Sequence, residues 1–221
     1  GSGRITVAWR PTPDLVLRGS AARGFRAPSI YEIFGDPRYG IGSNLDLAPE
    51  ESLSFDLGAD YTFAGGASVG LTLFQLKIED AIVYCGSFAD ACQTPLPDGS
   101  SNLYENLPGT STRKGLELEG AVPLGDRLTL SGGYTYTDAR GPEGARLSRV
   151  PYHELSLSLG GEITPRIGGE VNLRHVAGRP EDSFRDYTVV NVAASYALTE
   201  TADLTLRVEN LFGEDYQEIE G

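Results

Sequence analysis

Ser52-Leu53-Ser54-Phe55-Asp56-Leu57-Gly58-Ala59-Asp60-Tyr61-Thr62-Phe63 alternates without a break: odd positions are apolar or aromatic, even ones polar or glycine. Successive side chains of a strand point to opposite faces, so this run is a strand with one apolar and one polar face. The pattern recurs. Leu128, Leu130, Tyr134 and Tyr136 alternate with Thr129, Ser131, Thr135 and Thr137, and Leu155, Leu157 and Leu159 alternate with Ser156 and Ser158. Val190, Val192, Ala194, Tyr196 and Leu198, then Leu204, Leu206 and Val208, continue it. Ten strands are expected, at 4–10, 15–25, 52–63, 68–84, 102–122, 127–138, 152–163, 169–177, 187–198 and 203–212. In the fourth, Val69, Leu71 and Leu73 share one face before Phe74, Leu76 and Ile78 take over, which predicts a β-bulge between them.

The connections alternate as well. Tight turns at 11–14, 64–67, 123–126, 164–168 and 199–202 take turns with longer polar loops near 26–51, 85–101, 139–151 and 178–186. In an antiparallel meander this puts every tight turn at one end and every long loop at the other. A soluble sandwich has no reason for that asymmetry; an outer-membrane barrel, with short periplasmic turns and longer extracellular loops, does.

Composition narrows the class. The chain has 221 residues, with 18 basic and 31 acidic side chains and a net charge of −13. Phosphate binding by nucleic-acid partners needs a cationic surface, so no nucleic acid is expected. Hydrophobic residues make up 40%, and no stretch approaches the roughly 18 apolar residues of a spanning helix. A spanning strand needs only about 9–11 residues of alternating polarity, so a barrel remains open.

The two faces then acquire a physical meaning. The aliphatic face is expected to meet lipid, while Arg18, Ser54, Asp56, Asp60, Glu117, Glu119, Asn172, Arg174, Asn191, Arg207 and Glu209 look inward. Charges of both signs suit a wet or protein-filled lumen, whereas a small soluble barrel fills its interior with apolar side chains. Trp9, Phe63 and Tyr196 fall near the tight-turn end. Phe25, Tyr84, Tyr104, Tyr134, Tyr136, Tyr152, Tyr187 and Phe212 fall near the other. Two aromatic girdles bracketing an aliphatic band are expected of such a barrel.

Three stretches carry a family resemblance. Arg23-Gly24-Phe25-Arg26-Ala27-Pro28-Ser29-Ile30-Tyr31-Glu32-Ile33-Phe34-Gly35, continued by Asn44-Leu45-Asp46-Leu47-Ala48-Pro49-Glu50-Glu51-Ser52, is the first. The second is Asn106 with Arg113-Lys114-Gly115-Leu116-Glu117-Leu118-Glu119, and the third Val208-Glu209-Asn210-Leu211-Phe212-Gly213-Glu214-Asp215-Tyr216. In this order they resemble the C-terminal half of the barrel of TonB-dependent outer-membrane receptors. The resemblance implies an all-β fold: an antiparallel transmembrane β-barrel segment, about ten strands of a barrel of about 22 strands around a plug. Residues 1–221 are then expected to be a partial C-terminal portion, lacking the plug domain, the first half of the barrel and the last strand. The absence of methionine and the opening Gly1-Ser2-Gly3 are expected of a processed form, an engineered product or a fragment.

The implied role is active uptake, in the Gram-negative outer membrane, of a scarce nutrient such as a ferric siderophore, haem or cobalamin. The implied partners are outer-membrane lipid, the plug of the same full-length chain, the inner-membrane TonB complex and a small metal-chelate or cofactor substrate. Rival classes are a passive porin or other outer-membrane barrel, and a soluble all-β binding module. No GxSxG elbow or HExxH motif occurs, so no catalytic residue, resident cofactor or metal site is expected.

Two readings of residues 23–35 stand side by side. Either the stretch contacts ligand, or Pro28 starts a short helical turn that shapes the loop, with Tyr31 and Phe34 packing it onto the rim. Tyr31, Arg38 and Tyr39 are the candidate substrate contacts, since loops on rigid scaffolds usually carry recognition. Asp36, Asp46, Glu50 and Glu51 read as solvated loop charge rather than a calcium site. His153 and His175 share parity with outward Leu155 and Leu173, which favours interfacial histidines over haem ligands. Cys85 and Cys92 are close enough to be bridged if their loop turns back; two separate thiols are the alternative.

Overall fold

The computed structural model describes residues 1–85, 102–180 and 185–218. It is one antiparallel sheet in which each strand lies beside its sequence neighbours. The strands are β1 (Gly3–Thr12), β2 (Leu15–Arg26), β3 (Glu50–Thr62), β4 (Ser68–Cys85), β5 (Leu103–Leu124), β6 (Leu128–Arg140), β7 (His153–Thr164), β8 (Ile167–Ala177), β9 (Tyr187–Thr199) and β10 (Ala202–Val208). Helix α1 (Ile30–Phe34) and a 3-10 turn (Pro37–Tyr39) lie between β2 and β3. The sheet is not closed: β1 and β10 each pair on one side only. All ten expected strands are present.

Cross-strand register shows why the alternation was informative. One line of partners runs Leu15, Tyr61, Val69, Gly120, Gly132, Leu157, Leu173 and Val190 across β2 to β9. The next line toward the turns belongs to the opposite face and runs Thr62, Ser68, Ala121, Ser131, Ser158, Asn172 and Asn191. Shifting one residue in register would exchange these faces, so the sequence pattern fixes the pairing.

The apolar face has no partner. Val7 is 62% exposed, Leu57 63% and Leu206 65%. Water-facing monomers seldom expose such a continuous apolar surface, and nothing in the single sheet covers it. The polar face, by contrast, carries bonds between its own side chains. Arg18 donates from Nε to Asp60 at 2.8 Å and from Nη2 to Thr72 at 3.0 Å, and Ser20 donates to Asp56 at 2.7 Å. Asp60, Glu119, Ser156, Asn172, Arg174 and Asn191 line a hollow of about 810 Å³.

Three expectations change. Pairing on both sides of β4 runs without interruption through Leu73 and Phe74, so no bulge lies there. The irregularity sits between Glu79 and Ala81, where β5 carries an extra residue at Pro108-Gly109. Gly109 (φ +103°) and Asp80 (φ +53°) take up the distortion in the left-handed region. Phe74 therefore keeps inward parity. It is accommodated by its cross-strand partner Gly115, where a Cβ would come within 2.7 Å of the Phe74 ring. Gln75, Lys77 and Glu79 accordingly face outward.

β10 also stops at Val208 rather than 212, because Asn210 takes positive φ (+48°) and turns the chain back. The segment beyond it covers the long-loop end of β8 and β9. There Val176, Tyr187 and Val189 are buried, Tyr216 stacks on Tyr187 at 4.4 Å, and Glu218 bonds Arg174 and the Tyr187 hydroxyl. Tyr187 thus lies against the inner face and does not belong to the outer aromatic girdle.

A charge on the outward face should be far costlier than one on the inner face. Leu57→Arg in the intact barrel is expected to lower stability by about 2–4 kcal/mol in lipid vesicles. Ser158→Arg should stay within about 0.5 kcal/mol. Reversible urea unfolding of the two variants measures the contrast.

Candidate functional site

The long-loop end of the sheet is where substrate-sized molecules could be met, and among the described residues, 27–49 form a closely bonded part of it. Their conformation begins at Arg26, the last residue of β2. Its guanidinium reaches Glu50, the first residue of β3, at 2.7 and 3.0 Å, and Glu32 on α1 at 2.9 and 3.0 Å. One fork thereby ties both ends of the loop to its helix.

Helix α1 is only one turn long and would not persist alone. Ser29 caps it: the Ser29 hydroxyl accepts from the Glu32 amide at 3.2 Å, and the Glu32 carboxylate accepts from the Ser29 amide at 2.6 Å. Pro28 precedes the cap rather than starting the helix. The bond from the Ser29 amide, aided by Arg26, holds the Glu32 carboxyl below its ordinary range. Asp36 likewise caps the 3-10 turn by accepting from the Arg38 amide at 3.0 Å. Its carboxyl is held down by the Arg38 guanidinium, 2.9 Å away.

Further along, Asn44 donates to the Tyr104 carbonyl at 2.9 Å. Asn106 accepts from the Ala48 amide at 2.7 Å and donates to the carbonyls of Ala48 (2.9 Å) and Asp80 (2.7 Å). Glu50 accepts from the Ile82 amide at 2.7 Å. The Gly42 amide donates to the Asn102 carbonyl at 2.7 Å. The loop after β2 is thus laced onto the ends of β4 and β5.

The three candidate substrate contacts fall in this loop but have different surroundings. Tyr31 packs edge-on against Tyr104 at 6.1 Å, and Tyr104 meets Tyr84 at 5.3 Å, giving a three-ring cluster across α1, β5 and β4. Arg38 stands out into solvent with its charge matched by Asp36. Tyr39 is 73% exposed. Phe34 does not pack onto the rim; it is exposed. The acidic loop residues are less solvated than expected, since Asp36, Glu50 and Glu51 each pair with an arginine.

Arg26, Glu32, Glu50 and Asn106 are the organising residues, and their roles are not evident from alternation alone. The spacing Ser29-x-x-Glu32 was the readable signal. Two further clusters lie at the same end of the sheet. Arg146 lies over the Tyr152 ring at 3.2 Å and donates to the Val150 carbonyl at 2.7 Å. Asn210 folds the segment after β10 by bonding the Glu214 backbone twice, at 2.8 and 2.9 Å. His153 and His175 both lie on outward positions, bonded to Tyr134 (2.8 Å) and Thr188 (2.9 Å). Cys85 is buried at the end of β4; Cys92 lies outside the described residues.

Comparison with known proteins places these features together. A family model described as TonB dependent receptor-like, beta-barrel matches residues 1–211. The iron-regulated outer membrane virulence protein of Vibrio cholerae is 28% identical over 97% of this chain and 36% of its own length. The vitamin B12 transporter BtuB of the same species is 23% identical over 98% of this chain and 34% of its own. The chain therefore spans about a third of the curated relatives it matches. Among solved structures, the siderophore receptor PirA from Pseudomonas aeruginosa superposes with a TM-score of 0.74 at 21% identity, over 97% of this chain and 36% of that one.

The depressed carboxyls give a pH test. A carboxyl whose folded value lies below its unfolded one stabilises above the unfolded value and loses that contribution as pH falls through the folded value. For Glu32 the loss begins below the ordinary 4.5. A nitroxide at exposed position 34 should report an ordered loop at pH 7 and a mobile one as the pH drops below that range. With Glu32→Gln it should be mobile at every pH; an unchanged spectrum would show that the carboxylate does not hold α1.

Proposed function

This chain belongs to the TonB-dependent receptor β-barrel family, and from that premise we propose that it is part of an outer-membrane active transport receptor. Its ten strands form barrel wall, its polar face lines the lumen, and its long loops form part of the extracellular mouth. The observation that carries the reading is the division of faces. An unpartnered apolar stripe backs onto a polar, internally bonded concave surface, with every long loop at one end.

The substrate class we propose is a scarce metal chelate or cofactor, such as a ferric siderophore, haem or cobalamin. The relatives' names, an iron-regulated protein and a vitamin B12 transporter, support this range without choosing within it. Tyr31, Arg38 and Tyr39 remain proposed contacts. An exposed aromatic beside an exposed guanidinium is suited to flat or anionic chelates. Capture by the loops, rearrangement of a plug supplied elsewhere in the full-length chain and energy from the inner-membrane TonB complex complete the proposed cycle. The wall acts as a rigid frame in that cycle. Transport, not catalysis, is the activity proposed.

Deleting the full-length gene should abolish growth on one such chelate as sole source, and the same loss should follow removal of the TonB complex. Growth that survives TonB removal, with steady ion conductance in planar bilayers, would favour a passive porin instead. Replacing Tyr31 and Tyr39 together by Ala should weaken chelate binding by about tenfold or more while leaving the barrel folded. We also propose that Cys85 and Cys92 are bridged, which intact mass before and after reduction decides.

A further inference from the structure

Beyond Asn210 the chain returns over the inner face of the sheet as a strap, and three residues in a row hold its end there. Tyr216 stacks on Tyr187 at 4.4 Å, and the Gln217 carbonyl accepts from Arg179 at 2.7 Å. The Glu218 carboxylate accepts from two donors on the wall, Arg174 Nη1 at 2.6 Å and the Tyr187 hydroxyl at 2.7 Å, both onto Oε1. Arg174 on β8 pairs with Val189 on β9, two residues from Tyr187, so the two donors are diagonal neighbours on one face. The Arg179 guanidinium, 5.3 Å from the centre of the Tyr187 ring, adds positive charge beside them.

This contact is built to exchange. The Arg174 and Glu218 side chains are 50% and 52% exposed, so water and solutes reach both, and ion pairs in such surroundings hold weakly. Arg174 divides its terminal nitrogens: Nη1 serves Glu218, while Nη2 stands 3.5 Å from Glu154 on β7. Withdrawal of Glu218 would leave Nη1 and the Tyr187 hydroxyl aimed at one point, with Glu154 still in place. That vacancy takes one carboxylate, and a second negative charge on the same atoms would meet Glu154.

The point lies at the long-loop edge of the hollow of about 810 Å³, which Arg174 itself lines with Ser156, Asn172 and Asn191. Gly70 and Gly133 share the Arg174 line of partners and contribute no side chain, which leaves room beside the guanidinium. Asn172 is the next inward position on β8, about 7 Å along the strand. Its side chain makes no hydrogen bond among the described residues, so its amide is available to a solute. The other carboxylates of the hollow do not oppose an anion at Arg174. Asp60 is held by Arg18 at 2.8 Å, and Glu119 lies three strands away, about 14 Å.

We propose that Arg174 and Tyr187, with Asn172 below them, form a subsite for one carboxylate arm of the transported solute. Glu218 occupies the subsite until that arm displaces it and frees the strap. A carboxylate offers the same charge-assisted bonds as Glu218 and so replaces it without loss, whereas an uncharged amide does not. The inference rests on the transport reading above and names the group by which the solute is held.

The test uses the full-length receptor in detergent, with a nitroxide at exposed position 215 of the strap. The probes are propionate, which reproduces the Glu218 side chain, uncharged propionamide, and sodium chloride at matched ionic strength. A tethered carboxylate acts at an effective concentration in the millimolar range, so propionate at about 100 mM competes with it. Propionate should mobilise the label, and the other two probes should not. Affinity for carbon-13 propionate, read from its line width, should rise about tenfold in Glu218→Gln, where the competing group has lost its charge. It should vanish in Arg174→Gln. Glu218 lies outside the strands, so the first variant leaves barrel assembly alone even if the second does not. A label that propionate does not mobilise, or that chloride or propionamide mobilises equally, would overturn the proposal. So would equal affinity in the native protein and Glu218→Gln, or binding that survives Arg174→Gln. Growth on the receptor's chelate is scored separately. Growth that persists without the TonB complex overturns the transport reading, whereas TonB-dependent growth with no propionate effect overturns only this one.

Discussion

Backbone amides and carbonyls cannot be left unpaired in hydrocarbon, and most of this structure follows from that requirement. Each unmet group costs several kcal/mol, so one open strand edge would exceed the 5–15 kcal/mol by which an ordinary domain is stable. Within the sheet every strand from β2 to β9 is paired on both sides. The outer edges of β1 and β10 need strands too if they are to stand in a membrane. Inter-strand pairing also frees the side chains from building a core. Among the described residues, the only cluster of buried apolar side chains is the small one beneath the segment after β10.

With the backbone providing cohesion, the two faces can be assigned to different solvents. The outward stripe need only be apolar, and the inward face need only satisfy its own polar groups, as Arg18, Asp60 and Thr72 do. The loops are under a different constraint. Surface ion pairs contribute little individually, typically under about 1 kcal/mol. The fork of Arg26 on Glu32 and Glu50 matters because it joins both strand ends to α1 and is continued by backbone bonds from Glu50 and Asn106. Residues that carry the family resemblance are thus occupied in folding the loop. The loop leaves Tyr39 and Arg38 projecting beyond them.

The sheet was legible because the alternation has one cause, a pleat with a different solvent on each side. Ser52 to Phe63 states it, and all ten strands were found. The misplaced bulge shows where that reading weakens. Phe74, Leu76 and Ile78 were read as a change of register, whereas they face inward because Gly115 makes room for Phe74 and the outward side of β4 becomes polar above Leu73. Apolar pattern alone cannot distinguish a shifted strand from one that has passed out of the apolar band. The organisation of the 27–49 loop was also hidden. Its partners are up to 60 residues apart, as Asn44 and Tyr104 are, and no local period reports such contacts. Tyr187 is a different case: the alternation of Val190 and Val192 already puts it on the inner face, where the segment from beyond β10 covers it.

The central claim is that lipid touches one face of this sheet and water the other. Nitroxide labels placed singly at positions 53 to 62 of β3 in the intact receptor, reconstituted in vesicles, test it directly. Relaxation should be enhanced by lipid-soluble oxygen at odd positions and by a water-soluble nickel complex at even ones, in strict alternation. Equal access of the nickel complex to both sets, or protection of the odd positions from both agents, would contradict the account.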